Sequence, residues 1–476
     1  MTFSVQWVFP ELYLLILIVA LFLQGILRKY LLPGPEKWLP WASGAGMLIA
    51  FFSVNTKGLI CSGAYRMDAL SQFFKLAVSI GLTVSVIIAA KQPTLKQEKR
   101  TEYLLFMTLS AWGLMLLAST VELISVFLAM ELATFSLLPM IPVRNEERKA
   151  AGAAIRYVFF SAAATAIGLF GLSYILATQH TTYLESMVHA SWNWAVSPMA
   201  VTGMTLFLCA LLFKLALFPF QVWAPDVYEG TSNETAAFLA TLPKLGAAVV
   251  LIRIAATLRP GSEIDTILAC LAAVSMTYGN LAALAQTDIK RLLGYSTVAH
   301  AGYIMMGLVA GTAQGLAAAA FYAFVYVLMN FACFWVISGV SSDGRNLDLD
   351  DLDGLHTRAP TLALILLVGA LGLAGFPPTA GFMGKLFLLT ALWNHGYDWL
   401  VFIAAGNMAI ALYYYLNLVR HAYTRPPQAA PVEGIGLSFA TRLLGWLLAV
   451  AIVLLGVLPS PLFELALRAG RQLTSF

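Results

Sequence analysis

The chain has 476 residues, 60% hydrophobic and 11% charged, with 28 Lys and Arg against 24 Asp and Glu and a formal net charge of +4. Soluble domains carry roughly a quarter charged residues, so a water-soluble fold, a disordered chain and a disulfide-stapled secreted module are excluded; the small net charge offers nucleic acid no footprint. What remains is an all-α polytopic membrane protein, because about 286 apolar residues supply around fourteen spans at about 20 residues each, and the mean hydropathy of +0.81 agrees.

The first apolar run, Leu12 to Leu27, is long enough to span and lacks a small-residue cleavage site, so it is a first transmembrane helix and not a removed signal. It is apolar on every side, unlike the alternating strands of an outer-membrane barrel. Apolar runs between Gly, Pro and charged breaks then centre near residues 20, 47, 80, 110, 131, 165, 210, 244, 274, 302, 328, 375, 411 and 448. Linkers are short apart from 179–197 and 342–359, the second an acidic surface connection. Cys61, Cys209, Cys270 and Cys333 lie far apart, mostly in apolar runs, and are read as buried free thiols. No CxxC spacing exists, so the chain holds no iron–sulfur cluster. Neither a GxGxxG after a strand nor a phosphate-binding loop occurs.

With the N-terminus outside, the inward loops carry eighteen Lys and Arg, among them Arg28, Lys29, Lys91, Lys96, Arg144, Lys149, Arg156, Lys290, Arg291, Arg345 and Arg425. The outward loops carry six: Lys57, Arg66, Arg253, Arg259, Arg468 and Arg471. The bias follows the positive-inside rule and places both termini outside the cytoplasm. Four cations are left over, Lys75, Lys214, Lys244 and Lys385, and with Glu131 they fall inside expected spans. A charge at the bilayer centre costs at least about 2.5–3.5 kcal/mol and marks function unless it is paired or hydrated. Lys75 sits near the start of its span, where its long stem reaches the interface.

The seventh span contains Pro219 and Pro225, and the twelfth carries Gly375, Pro377, Pro378, Gly381 and Gly384 in mid-run. Proline removes a donor and breaks the helix, which lipid tolerates only where protein or a water-filled cavity satisfies the freed groups. Lys214 lies five residues before Pro219, and Lys385 seven after Pro378. The breaks are five spans apart, an odd number, so spans 4–8 and 9–13 form two inverted five-helix repeats, each with a broken helix, as in transport pathways at the membrane midplane. The expected organisation is a three-helix segment 1–100, a first repeat 101–258, a second repeat 259–425 and a last span within 426–476.

Burial penalises a lysine ammonium and a nearby carboxylate offsets that penalty, so moving the carboxylate or hydrating the site decides whether the lysine keeps its proton. A pair of Glu131 and Lys214 feeding Lys244 is therefore a proton switch. His300 adds a group of the kind that titrates near neutral pH, and Tyr295, Ser296, Thr297 and Tyr303 offer a hydrogen-bonded chain around it. Sodium or potassium requires clustered oxygens, so a lysine-lined route favours protons.

The segments FKLALFPFQVWAPDVYEG, ATLPKLGAA, NLAALAQTDIKRLLGYSTVAHAGYIMMG and LAGFPPTAGFMGKLFLL resemble the antiporter-like membrane subunits of respiratory complex I. The likeness is strong over spans 4 to 13 and looser elsewhere. It implies that Glu131 is the family's span-five glutamate, that Lys214 is its pairing lysine, that Lys244 is the central proton carrier and that Lys385 lies on the far side of the path. A sister subunit has glutamate at the last position. Glu102 matches an acidic residue at the start of span four. Gln221 departs from a common histidine and cannot titrate, and the fifteen residues after Pro461 are too few for a distal sister's long amphipathic arm. The resemblance further implies a bacterial inner-membrane location, no cofactor in this chain, and FMN and iron–sulfur clusters in partner subunits. Its partners would be the other membrane and peripheral subunits of complex I and the lipid bilayer, with quinone bound by the complex rather than by this chain. A subunit of a multi-subunit cation/proton antiporter or of a membrane-bound hydrogenase would share the fold.

Overall fold

The computed structural model describes residues 8–27, 34–90, 93–144, 148–188, 190, 192–258, 263–341, 343–393, 395–424 and 439–474. Among the sorted charges Arg28, Lys29, Lys91, Arg259 and Arg425 lie outside the described residues, as do the expected boundaries at 259 and 425.

The chain runs α1 (Phe9–Leu27), α2 (Pro35–Phe52), a hairpin of β1 (Gly58–Ile60) and β2 (Tyr65–Met67), α3 (Ala69–Ala89), α4 (Arg100–Ser119), α5 (Leu123–Leu137) and α6 (Arg148–Gln179). It continues with α7 (Pro198–Leu215), α8 (Trp223–Gly230), α9 (Asn233–Thr257), α10 (Glu263–Leu284), α11 (Ile289–Val309) and α12 (Ala313–Val340). The remainder is α13 (Leu355–Arg358), α14 (Pro360–Ala374), α15 (Ala380–Leu392), α16 (Asp398–Thr424), α17 (Phe439–Val457) and α18 (Ser460–Leu473). Every expected span centre falls within one of these helices or, for residue 375, at the break between α14 and α15. Among the described residues ten helices are long and apolar enough to cross a membrane, or eleven when α17 and α18, bent by 71°, count as one crossing. The shorter α5, α14 and α15 are apolar too.

The bundle is built around α9 and α12, whose apolar windows are wholly buried, whereas those of α1, α6 and α16 are about one-third buried and turn their flanks outward. Close crossings use small residues, as is usual between helices in lipid. A Cβ on Gly279 of α10 would come within 2.6 Å of the Ala299 backbone nitrogen of α11.

Charges assigned to the same side meet at the same end. Arg253 at the end of α9 grips the carboxylate of Asp68, the N-cap of α3, at 2.8 and 2.9 Å. Arg66 pairs with Glu185. At the other end α8 is held by ion pairs of Arg156 with Asp226, of Lys149 with Glu229 at 3.4 Å, and of Arg291 with Asp226 and Glu229 at 2.8 and 2.9 Å.

Four expectations are corrected. Lys75 does not reach the interface; it is fully buried and pairs at 2.5 Å with Glu11 of α1, which also accepts the Tyr65 hydroxyl. Its stem points inward because α1 supplies a carboxylate there. Only Cys333 of the four cysteines is buried; Cys61 and Cys270 are exposed, because the first turns out of the hairpin and the second faces away from the bundle. The 342–359 connection is more than a surface link. Asp353 is buried against His421 of α16 at 2.7 Å, and the Gly344 carbonyl accepts from Arg144 at 3.1 Å. Lastly, the residues after Pro459 form an amphipathic helix, α18, that the apolar-run reading passes over because half its faces are polar.

Candidate functional site

Two helix breaks set the geometry of the site. In the first, α7 ends at Leu215 and Ala216 turns left-handed with φ 62°. The Leu217 amide bonds back to the Leu212 carbonyl at 2.9 Å, and the Phe218–Pro219 peptide is cis. In the second, α14 ends at Ala374 and Gly375 turns left-handed with φ 85°. The Phe376 amide bonds back to the Leu371 carbonyl at 2.9 Å, and Pro377–Pro378 is cis. The two breaks repeat one another residue for residue.

Each break releases carbonyls into the interior, and a buried lysine takes them. Pro377 and Pro378 have no N–H, so the carbonyls four residues earlier lose their helical donors. Those carbonyls, of Leu373 and Ala374, each accept from the Lys385 ammonium at 2.9 Å. At the other break the Phe218 amide turns to Ser275 Oγ at 2.9 Å, and the Lys214 carbonyl it would have met accepts from Lys244 Nζ at 2.9 Å. Each ammonium thus sits where the negative end of a helix dipole favours it, and each also lies over an aromatic face: Lys244 at 4.4 Å from the Trp223 ring and Lys385 at 4.7 Å from the Tyr303 ring.

All five expected site residues are buried, Glu131 and Lys214 to 7% and 6% exposure and Lys244, His300 and Lys385 to 2% or less. Glu131 and Lys214 form no direct ion pair among the described residues. Instead α6 connects them: Thr165 donates to Glu131 Oε1 at 2.9 Å, and Ser161, one turn earlier, accepts from Lys214 Nζ at 3.0 Å. A cavity of about 20 Å³ beside Lys214, lined also by Ser110, Thr134 and Pro243, has room for roughly one water.

From Lys244 the polar contacts continue across the bundle. The Tyr326 hydroxyl lies 3.1 Å from the carbonyl of Ala240, one turn before Lys244, and 3.0 Å from Thr297 Oγ1, and its one hydrogen is shared between these two acceptors. His300, three residues further along α11, meets the Tyr322 hydroxyl through Nδ1 at 2.6 Å and the Tyr415 hydroxyl through Nε2 at 3.1 Å. Tyr415 also bonds to Ser296. Beyond Tyr322 the contacts are between rings and an ammonium: Tyr322 meets the Tyr303 ring edge-on, the Tyr303 face covers Lys385, and the Tyr303 hydroxyl itself donates to the Ala404 carbonyl at 3.1 Å. Of the hydrogen-bonded chain expected around His300, Ser296 and Thr297 take part, and Tyr303 contributes only its ring face. Tyr295 does not, facing Tyr278 and Arg291. Glu102 is exposed in the first turn of α4, away from the row. Gln221 is buried at the first break with its Oε1 unpartnered.

Sequence reasoning missed Ser161, Thr165, Trp223, Tyr322, Tyr326 and Tyr415, since hydroxyls and aromatics inside apolar helices look like ordinary packing. It also passed over Glu234, and it assigned Lys290 to an inward loop where the structure buries it in α11. Glu234 in the first turn of α9 accepts from Thr94 Oγ1 at 2.6 Å, and Lys290 donates to the Thr231 carbonyl at 2.6 Å. Both are fully buried. The signal available was a charge one or two residues inside a helix end.

Two helix breaks with buried lysines, a histidine and tyrosines lying between them are the features of a transport-type membrane bundle. The family model described as NADH:quinone oxidoreductase/Mrp antiporter, TM, matches residues 120–411. A protein of Solidesulfovibrio magneticus named NADH-quinone oxidoreductase subunit N 2 is 53% identical over 99% of each chain. A chain of respiratory complex I from Thermus thermophilus is 30% identical with a TM-score of 0.84, covering 96% of this chain and 99% of that one. A chain of an Mrp complex from a Dietzia species shares the fold at a TM-score of 0.88 and 18% identity, over 99% and 98% of the two chains. The protein belongs to the NADH:quinone oxidoreductase/Mrp antiporter family of membrane subunits.

Proposed function

We propose that this chain is the subunit-N-type, proton-translocating membrane subunit of an NADH:quinone oxidoreductase, coupling electron transfer from NADH to quinone with proton movement. The observation that carries this reading is the pair of lysines, Lys244 and Lys385, each seated on carbonyls freed by a helix break, with His300 and its tyrosines lying between them.

The switch works by competition between like charges. When Glu131 is ionised it attracts the Lys214 ammonium through the Ser161–Thr165 turn, and Lys244 can hold its own proton. Once Glu131 is neutralised or withdrawn, the Lys214 charge repels that of Lys244 and drives its proton along Tyr326, Thr297 and His300 toward Lys385. Glu234, ten residues before Lys244 on α9 and so about 15 Å away along the axis, supplies a buried group between the α8 end and the centre.

The matching breaks support two inverted five-helix repeats, 101–258 and 259–425, preceded by 1–100 and followed by 426–476. Adding α2, α5 and the rejoined α14–α15 to the eleven apolar crossings yields fourteen spans. The grouping of Lys57, Arg66, Arg253, Arg468 and Arg471 at one end supports both termini outside, in a bacterial inner membrane. The chain carries no cofactor itself; FMN and iron–sulfur clusters reside in partner subunits, and the complex binds the quinone. The alternative, a cation/proton antiporter or hydrogenase subunit, rests on the family model that both share and on fold likeness at 18% identity. Purifying the intact assembly decides between them. Co-purifying flavin and NADH-driven quinone reduction with proton uptake are expected, and an assembly lacking NADH oxidation would overturn the reading.

A further inference from the structure

Where α18 crosses the end of α3 it encloses, with the loop after α2, a cavity of about 350 Å³ whose walls include Lys57, Phe73, Leu76, Leu465, Arg468 and Arg471. The helix is held there by its small, apolar face: Leu462, Ala466, Ala469 and Gly470 are buried. A Cβ on Gly470 would come within 2.3 Å of the Ala313 carbonyl, so only glycine lets α18 lie this close to α12. Gln472 Oε1 accepts from the Ala69 amide at 3.3 Å and closes one edge.

Arg468 and Arg471, three apart and so on one helix face, line this cavity together with Lys57. Among the described residues none of the three makes an ion pair or a side-chain hydrogen bond. Glu464, one turn before Arg468, lies beyond 4 Å of all three, and Asp68 is engaged by Arg253. Three like charges gathered around one concavity repel one another unless an anion joins them, and arginine pairs suit phosphate oxygens. Phe73, Leu76 and Leu465 add apolar lining, and Phe51 and Phe52, at the end of α2 just before the cavity, are 59% and 79% exposed.

We propose that this cavity binds an anionic phospholipid, its phosphate bridging Arg468, Arg471 and Lys57 and its glycerol and acyl stems lying along Phe73 and Leu465. A basic patch on an interfacial amphipathic helix is the chemistry that recognises such headgroups. The apolar lining favours a lipid over free phosphate.

The test is native mass spectrometry of the full chain in a non-ionic detergent supplied with phosphatidylglycerol, phosphatidylcholine or inorganic phosphate. One phosphatidylglycerol per chain should survive activation that strips phosphatidylcholine, and millimolar phosphate should not displace it. A variant combining Lys57→Gln, Arg468→Gln and Arg471→Gln should lose occupancy by at least about tenfold, while Arg468→Lys with Arg471→Lys should retain most of it. Equal retention of the two lipids, displacement by phosphate, or full retention by the glutamine variant would overturn the proposal. The comparison of two lipids on the unaltered chain decides the matter even if the variant fails to fold.

Discussion

Lys244 donates its ammonium proton to the backbone carbonyl of Lys214 at 2.9 Å, so the central lysine is anchored to the broken helix that carries its neighbour's charge. Any movement of the α7 terminus shifts both groups together. Because no carboxylate among the described residues pairs with Lys244, its charge depends on that carbonyl and the Trp223 face.

Lys244→Arg keeps a charge that does not dissociate in proteins, and Lys244→Ala removes charge and carrier alike. Both variants should abolish proton uptake in proteoliposomes and depress quinone reduction in the assembled complex, with assembly checked on native gels. Full activity of the arginine variant would reduce Lys244 to a fixed charge.

Glu131→Gln and Lys214→Met should each lower proton-coupled turnover, and the double variant should lose less than the two losses combined, because removing one partner leaves the other charge uncompensated. The geometry adds a sharper expectation. Replacing Ser161 by alanine and Thr165 by valine removes the turn of α6 that links them, and the non-additivity should shrink. If the cycle is unchanged in that background, α6 does not transmit the coupling.

Gly375 has φ 85°, and a Cβ there would come within 2.8 Å of Lys385 Cδ. Gly375→Ala should therefore displace the lysine and cut the proton-to-electron ratio while the complex assembles. Pro377→Ala with Pro378→Ala should act in the same direction by returning backbone donors to the Leu373 and Ala374 carbonyls. Ratios that stay at the unaltered value would make this break architectural only.

Glu11→Gln should destabilise the chain by about 3–5 kcal/mol, since it strands the Lys75 ammonium, whereas Glu11→Leu with Lys75→Leu should be near neutral or stabilising. Thermal unfolding of the detergent-solubilised chain measures the difference. Similar melting for both variants would show that the pair is not coupled.

The apolar runs disclosed every helix long enough to cross, and the prolines disclosed both breaks, because span length and missing donors are local properties of the sequence. Glu131, Lys214, Lys244 and Lys385 stood out for the same reason: a charge in an apolar run is conspicuous. Tyr322, Tyr326, Tyr415 and Ser161 did not, since a hydroxyl in a helix often bonds its own backbone and only tertiary packing shows otherwise. The same holds for Glu11, which sits near the start of an apolar run and gains meaning only when α3 brings Lys75 beside it. The short hairpin and α18 were hidden because neither carries the length or the uniform hydropathy of a span.

Helices α9 and α12, wholly enclosed by their neighbours, also constrain how the chain is made. A segment without a lipid-facing side, and bearing Lys244 at its middle, gains little from entering the bilayer alone. Its companions must already be waiting when it leaves the insertion machinery, or it must pause until α12 and the later helices arrive. A nascent chain halted before α12 would therefore present to quality control a cationic helix covered only on the flank that earlier helices such as α3, α4 and α7 reach.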